Sequence, residues 1–260
     1  MSAPNAATPY RLILSRGLPD DDGAARLRRD LPEAEWRWIA RLRRPDDRLR
    51  SLVGRALARR LLGRRLDLAP EDVSLSAGPR GKPMLAGGRP GEPAGPDAGA
   101  RAWHFNIAHS GDLVLVGVGP GPLGVDVEHC PERVDADLWR QVTGLPLPAP
   151  APGGSEAAPD PRAFCAQWVR REAVLKACGL GLAAEPGTLR LTGAGDEGWT
   201  PVSGRPEVEG LWVRLLWASP AHCAALCLPE TAPRPEDWPL KTLALSDWIG
   251  GSDRETVLES

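Results

Sequence analysis

Gly124-Val125-Asp126-Val127-Glu128 alternates apolar and acidic side chains around a leading glycine. On a strand, residues two apart share a face, so Val125 and Val127 enter a core while Asp126 and Glu128 project together on the other side. Two carboxylates on one face repel each other unless a cation sits between them, and a hard divalent ion such as Mg²⁺ takes such oxygen ligands. An edge strand with a solvated acidic face accounts for the same residues.

Outward from this segment the pattern is mixed. Upstream, Trp103–Ile107 and Leu113–Val118 read as strands around a turn at Ser110-Gly111-Asp112, and Gly119-Pro120-Gly121-Pro122 punctuates the middle of the chain. Farther upstream lie a short strand at Tyr10–Ser15 and helices at Glu33–Arg44 and Asp47–Gly63. The second helix carries Leu49, Leu52, Val53, Leu57 and Leu61 on one stripe, with Asp46 or Asp47 as its N-cap and Pro45 keeping the two apart. Ala86–Ala100 is Gly/Pro-rich loop. Downstream, Pro146–Pro159 is a Pro/Ala/Gly-rich insertion expected to be mobile. A helix then runs from Pro161 to Cys178, with Asp160 as N-cap and Gly179 as its stop. Strands at Gly187–Leu191, Leu211–Trp217 and His222–Leu228 follow, and the tail after Glu230 has little pattern. The order predicts an α+β protein of two halves, 1–120 and 121–230, meeting near Gly119–Pro122, with 231–260 as a tail; no residue-level repeat accompanies it.

The chain has 260 residues and a formal net charge of −2, with 42% hydrophobic and 25% charged residues, an ordinary globular composition. No apolar run is long enough to span a bilayer. Met1–Thr8 lacks the basic start and apolar stretch of a signal peptide, and five cysteines without a CxxC pair read as thiols, so a reducing cytoplasm is expected. Cys223 and Cys227 with His222 do not make a zinc pattern, because no second pair of ligands follows. The neutral total hides a division. From Arg26 to Arg65 there are 14 arginines against five acidic residues. Only Lys82, Lys176 and Lys241 are lysine.

Two further segments carry chemistry. Phe164, Trp168, Glu172 and Lys176 recur every fourth residue on one helical stripe that starts aromatic and ends charged. Glu172 to Lys176 is the favourable order for a surface ion pair worth about 0.3–0.5 kcal/mol. Equally, Glu172 suits a third metal carboxylate and Lys176 a point charge for a phosphate. Phe105-Asn106-Ile107-Ala108-His109-Ser110 presents short polar groups where a strand meets a turn, a common ligand position, and a lone His there is as readily structural. Gly78-Pro79-Arg80-Gly81-Lys82-Pro83 suits close approach of an anion, or any surface turn.

Taken in order, Arg80-Gly81-Lys82-Pro83, Phe105-Asn106-Ile107-Ala108-His109-Ser110, Gly124-Val125-Asp126-Val127-Glu128 and Trp168-Val169-Arg170-Arg171-Glu172-Ala173-Val174-Leu175-Lys176 resemble the motifs of the Sfp-type 4′-phosphopantetheinyl transferases, over about Glu33 to Leu228. The resemblance implies two similar α/β halves related by a pseudo-two-fold axis, with coenzyme A between them. It implies transfer of phosphopantetheine to a serine of an apo acyl or peptidyl carrier protein, releasing adenosine 3′,5′-bisphosphate. It places Asp126, Glu128 and Glu172 on Mg²⁺ (or Mn²⁺), Lys176 on the pyrophosphate, and Lys82, His109, Arg37 and Arg41 on the adenosine phosphates. Ser51 matches a hydroxyl position near the nucleotide, and Arg80, Gly81, Pro83, Ala108 and Ser110 belong to the binding motifs. Glu172 is the expected general base, with Asp126 and Lys176 completing the catalytic set.

Two departures stand out. Arg171 replaces the family's usual Lys before the motif Glu, and Ala108 replaces a frequent Ser before His109. A monomer is expected, since both halves of the cleft lie in one chain, with no nucleic-acid or membrane partner. The rival readings are a nucleic-acid binder using Arg26–Arg65, which lacks interleaved aromatics, and a silent carrier-binding scaffold, against which the complete carboxylate set argues.

Overall fold

The computed structural model describes residues 10–78, 82–86, 103–147, 158–181, 184–191, 198–219, 221–232 and 241–244. Arg80, Gly81 and most of the 146–159 insertion lie outside them. The first sheet has the order β11-β1-β5-β4, from β1 (Arg11–Arg16), β4 (His104–Ser110), β5 (Leu113–Gly119) and β11 (Lys241–Ala244). Its pairings are antiparallel except that β11 lies parallel to β1. The patternless tail thus supplies a fourth strand to the first sheet.

The second sheet is antiparallel, in the order β6-β10-β9-β8-β7. It is built from β6 (Gly124–His129), β7 (Arg190–Leu191), β8 (Trp199–Ser203), β9 (Leu211–Ser219) and β10 (His222–Pro229). A small hairpin joins β2 (Leu75–Ala77) to β3 (Pro83–Leu85).

Helices cover the outer faces. α1 (Asp21–Arg28), α2 (Glu33–Ile39) and α3 (Pro45–Leu66) pack Leu27, Ile39, Leu52, Val53, Leu57 and Leu62 against Ile13, Phe105, Val114 and Val116. Between the sheets, Leu12, Leu14, Leu113 and Leu115 meet Val125, Val127, Ala224 and Leu226. On the far side, α5 (Pro161–Ala177) buries Val169, Ala173, Val174 and Leu175 against Val213, Ala225 and Cys227. The layers are helix, sheet, sheet, helix. The strand β5 faces two cores at once, which is why Leu113–Val118 reads as an unbroken apolar run. Each fully buried leucine in these layers contributes about 1.5–3 kcal/mol.

Several expectations shift. The helix from Asp47 starts earlier: Pro45 occupies its first turn and Arg44 the cap, with no side-chain cap bond from Asp46 or Asp47. The expected long α2 stops at Ile39, and α1 and α4 (Ala136–Thr143) form where the sequence reading names no helix. The expected strand at Gly187–Leu191 is mostly a 3-10 turn over Pro186–Thr188, leaving Arg190–Leu191 as strand. The helix from Pro161 is as read, with Asp160 accepting from the Arg162 and Ala163 N–H groups.

Candidate active site

The strand β4 runs on through Ser110 instead of ending before the turn, and its alternation sorts the Phe105–Ser110 motif into two faces. Phe105 and Ile107 face α3, while Ala108 sends its methyl into the core between the sheets. The buried Asn106 is not a turn residue: its Oδ1 accepts from the Val125 N–H at 2.7 Å. The Ser110 hydroxyl donates to Glu128 Oε2 at 3.1 Å and accepts from the His129 N–H at 3.0 Å. Two side chains of β4 therefore bond the edge strand β6, close the seam between the sheets and fix Glu128 in place. The solvated acidic edge weighed from sequence is not what forms.

The reason lies in Gly124. A Cβ there would stand 1.9 Å from the Ala173 carbonyl oxygen and 2.5 Å from the Ala177 nitrogen, so only a bare Cα lets α5 lie this close to β6. Asp126 is consequently 1% exposed and faces α5. Lys176 Nζ reaches it at 2.6 Å. The surface pair between Glu172 and Lys176 is thus replaced by a cross-element pair to Asp126. Two buried carboxylate oxygens, Asp126 Oδ2 and Glu172 Oε1, have no hydrogen-bond partner.

Charge is crowded here. Burial first, then the neighbouring Asp126 and Glu128 carboxylates, push the Glu172 carboxyl up to about 7 against the pull of Lys176. Burial raises Asp126 as well, with Lys176 opposing. Glu128 is raised by burial and by Asp126, while hydrogen bonds from Ser110 and Trp168 work the other way. Trp168 is therefore more than core filling. Its spacing four residues before Glu172 was the signal that could have assigned it.

The cationic side is equally tight. Lys82 Nζ donates to the Lys176 carbonyl oxygen at 2.5 Å. Burial and the Lys176 charge bring Lys82 down to about 8. His104, which the motif reading passed over, is held below its ordinary range by burial and by Lys82. His109 is lowered by desolvation and by the positive charge of Arg50 and Lys176. Arg50 itself is fixed by the Gly111 carbonyl at 2.7 Å and Asp47 Oδ1 at 2.6 Å. Ser51, next along α3, is half-buried. Pro83 opens β3 beside Lys82, and the exposed Arg41 follows α2. Arg37 is 73% exposed and pairs with Glu33 at 3.1 Å.

Two orphaned buried oxygens among three carboxylates of raised proton affinity fit a hard divalent cation. The three are not drawn within 4.8 Å of one another, the spacing that among the described residues only three thiols show. Beside them, two ammonium groups that repel each other fit an anion.

Residues 19–120 match the family described as 4′-phosphopantetheinyl transferase, N-terminal. Parts of this chain are similar to named 4′-phosphopantetheinyl transferases. It is 28% identical over 196 residues to a phosphopantetheinyl transferase of Thraustochytrium, covering 69% of this chain and 63% of that one. It is 35% identical over 83 residues to the 4′-phosphopantetheinyl transferase Sfp of Bacillus subtilis, 32% of each chain. It is 29% identical over 140 residues to the 4′-phosphopantetheinyl transferase HetI of Nostoc, 54% of this chain and 55% of that one. The matches thus span from 32% to 63% of the length of those transferases. No helix among the described residues is long and apolar enough to cross a membrane.

Proposed function

We propose that this protein is a transferase that moves the 4′-phosphopantetheine arm of coenzyme A to a serine of an apo acyl or peptidyl carrier protein, with Mg²⁺, releasing adenosine 3′,5′-bisphosphate. The observation that carries the reading is the pair of unpartnered buried oxygens on Asp126 and Glu172, beside Lys176 and Lys82, whose charges repel. Such an arrangement is costly in a resting protein and is relieved when a metal and a polyanion enter together. The relationship to named transferases and the four ordered motifs point the same way.

On this reading Asp126, Glu128 and Glu172 hold the ion, which neutralises charge on the pyrophosphate. Lys176 leaves Asp126 for the pyrophosphate, and Lys82 and His109 bind the adenosine phosphates, with Arg37, Arg41 and Ser51 at their margin. Arg80, Gly81 and Pro83 belong, by the resemblance, to the same binding motif as Lys82. The carrier serine oxygen attacks the phosphorus that bears the pantetheine arm, and the bond to adenosine 3′,5′-bisphosphate breaks. Glu172 takes the hydroxyl proton, directly or through a water. The two halves, related by an approximate two-fold axis, form the cleft within one chain, so the enzyme acts as a cytoplasmic monomer.

Incubation with coenzyme A, Mg²⁺ and apo carriers of the fatty-acid, polyketide and nonribosomal-peptide classes tests the reading. The carrier mass should rise by one phosphopantetheine, and chelation of the metal should abolish the rise. Coenzyme A binding without transfer to any carrier would instead identify a silent scaffold.

A further inference from the structure

Cys130, Cys165 and Cys223 come from three different elements: the residue after β6, the first turns of α5 and the start of β10. Their sulfur atoms all lie within 4.8 Å of one another. The Cys130 and Cys223 sulfurs are 3.7 Å apart, and Cys165 Sγ lies 3.7 Å from the Glu128 carbonyl oxygen. Cys165 is 1% and Cys223 8% exposed, while Cys130 is half-buried and offers a way in. None of the five cysteines forms a disulfide.

Single buried cysteines are common as small apolar fillers, and Cys227, fully enclosed in the core under α5, is one. Three sulfurs converging from three elements are a different arrangement. We propose that Cys130, Cys165 and Cys223 form a three-coordinate thiolate site for one soft cation of the copper(I) type.

The donor set decides the class of ion. Thiolates select soft cations, whereas Mg²⁺ takes oxygen. A structural zinc site takes four ligands in a tetrahedron. Among the described residues no His, Asp or Glu joins the three sulfurs within that distance. A trigonal sulfur site is therefore open to an ion content with three donors, and binding displaces three protons from the thiols as metal–sulfur bonds form.

The site lies outside the carboxylate chemistry yet touches its frame. Cys130 is two residues beyond Glu128, Cys223 pairs with Glu128 across the ladder, and Cys165 is on the helix that carries Glu172. A bound ion would staple α5 to the β6–β10 pair at the end of β6 opposite Gly124.

The test uses the whole protein, reduced and without oxygen, with copper(I) delivered against a chromophoric copper(I) chelator. The expected result is one equivalent retained. Cys130→Ser, Cys165→Ser and Cys223→Ser should each weaken retention by at least about tenfold. Cys178→Ser, outside the cluster, should retain the ion as the unaltered protein does. Should a serine variant fail to fold, alkylation of the unaltered protein decides instead. Copper(I) should slow labelling of Cys130 and leave labelling of Cys178 unchanged. No retained copper, retention that survives Cys165→Ser, or equal slowing at Cys130 and Cys178 would overturn the assignment. Isolation of a Cys130–Cys223 disulfide under the same conditions would overturn it too.

Discussion

Two of the places where the protein buries charge treat it in opposite ways. Under α2 and α3, Glu35 is matched on every side: Arg55 bonds one oxygen and Arg59 the other, at 2.5 Å. Arg59, 2% exposed, also donates to the carbonyls of Val73 at 2.6 Å and Pro70 at 3.1 Å. Arg60 pairs with Asp30 at 2.6 Å close by. Between β6 and α5 the balance is left open, with Asp126 Oδ2 and Glu172 Oε1 unpartnered and Lys82 under the repulsion of Lys176. Buried charge that is fully matched holds structure. Buried charge left unmatched is a site awaiting its ligands. Of the 14 arginines in Arg26–Arg65, Arg55, Arg59 and Arg60 belong to the first kind, while eight are exposed.

Breaking the matched region should cost stability and spare chemistry. Glu35→Ala strands Arg59 without a counter-charge in the interior, an effect of about 3–5 kcal/mol. Thermal melting should fall by on the order of 10 °C, with the transfer rate per folded molecule unchanged. A rate loss without a melting change would erase the distinction.

Gly124→Ala attacks the boundary between frame and site. The added methyl meets α5 backbone, which cannot yield as a side chain would. Overpacking of this kind costs about 1–3 kcal/mol, and a helix displaced by about 1 Å costs transfer about 10²-fold. Steady-state transfer and a melting curve on the same sample read both.

The open site should also show in the pH dependence of stability. Because the Glu172 carboxyl rises from 4.5 to about 7, the folded protein holds an extra proton across that interval. Its contribution is full below pH 4.5 and is lost as pH rises towards 7 in the metal-free protein. Adding Mg²⁺ near pH 7 should recover part of the loss, and denaturant titrations across this range would reveal a flat profile if Glu172 is in fact matched.

Smallest is Lys176→Arg. A planar guanidinium keeps the charge but not the compact ammonium geometry set against Asp126, so transfer should fall roughly tenfold, about 1.4 kcal/mol. Undiminished transfer would make the scarcity of lysine in this chain irrelevant to the site.

What could be read from sequence followed from local rules. Alternation placed Asp126 and Glu128 together, and the 3.6-residue period with Asp160-Pro161 placed Glu172 and Lys176 on one helix. The contacts between elements could not be read that way. Nothing local says that Asn106 bonds the Val125 N–H, that Gly124 admits α5, or that Lys176 prefers Asp126 to Glu172 four residues before it. The three convergent cysteines are far apart in sequence and carry no motif spacing, so only the packing of β6, α5 and β10 reveals them. The parallel strand Lys241–Ala244 was invisible for a related reason: its partner β1 is more than two hundred residues away.

The claim that unmatched charge marks the site is tested most directly by Glu172→Gln, with transfer rate and melting temperature measured together. Transfer should fall by on the order of 10²–10³-fold with the melting temperature unchanged or raised, because a buried carboxylate without a partner has been removed. Unimpaired transfer, or a melting temperature that collapses as it does for Glu35→Ala, would contradict it.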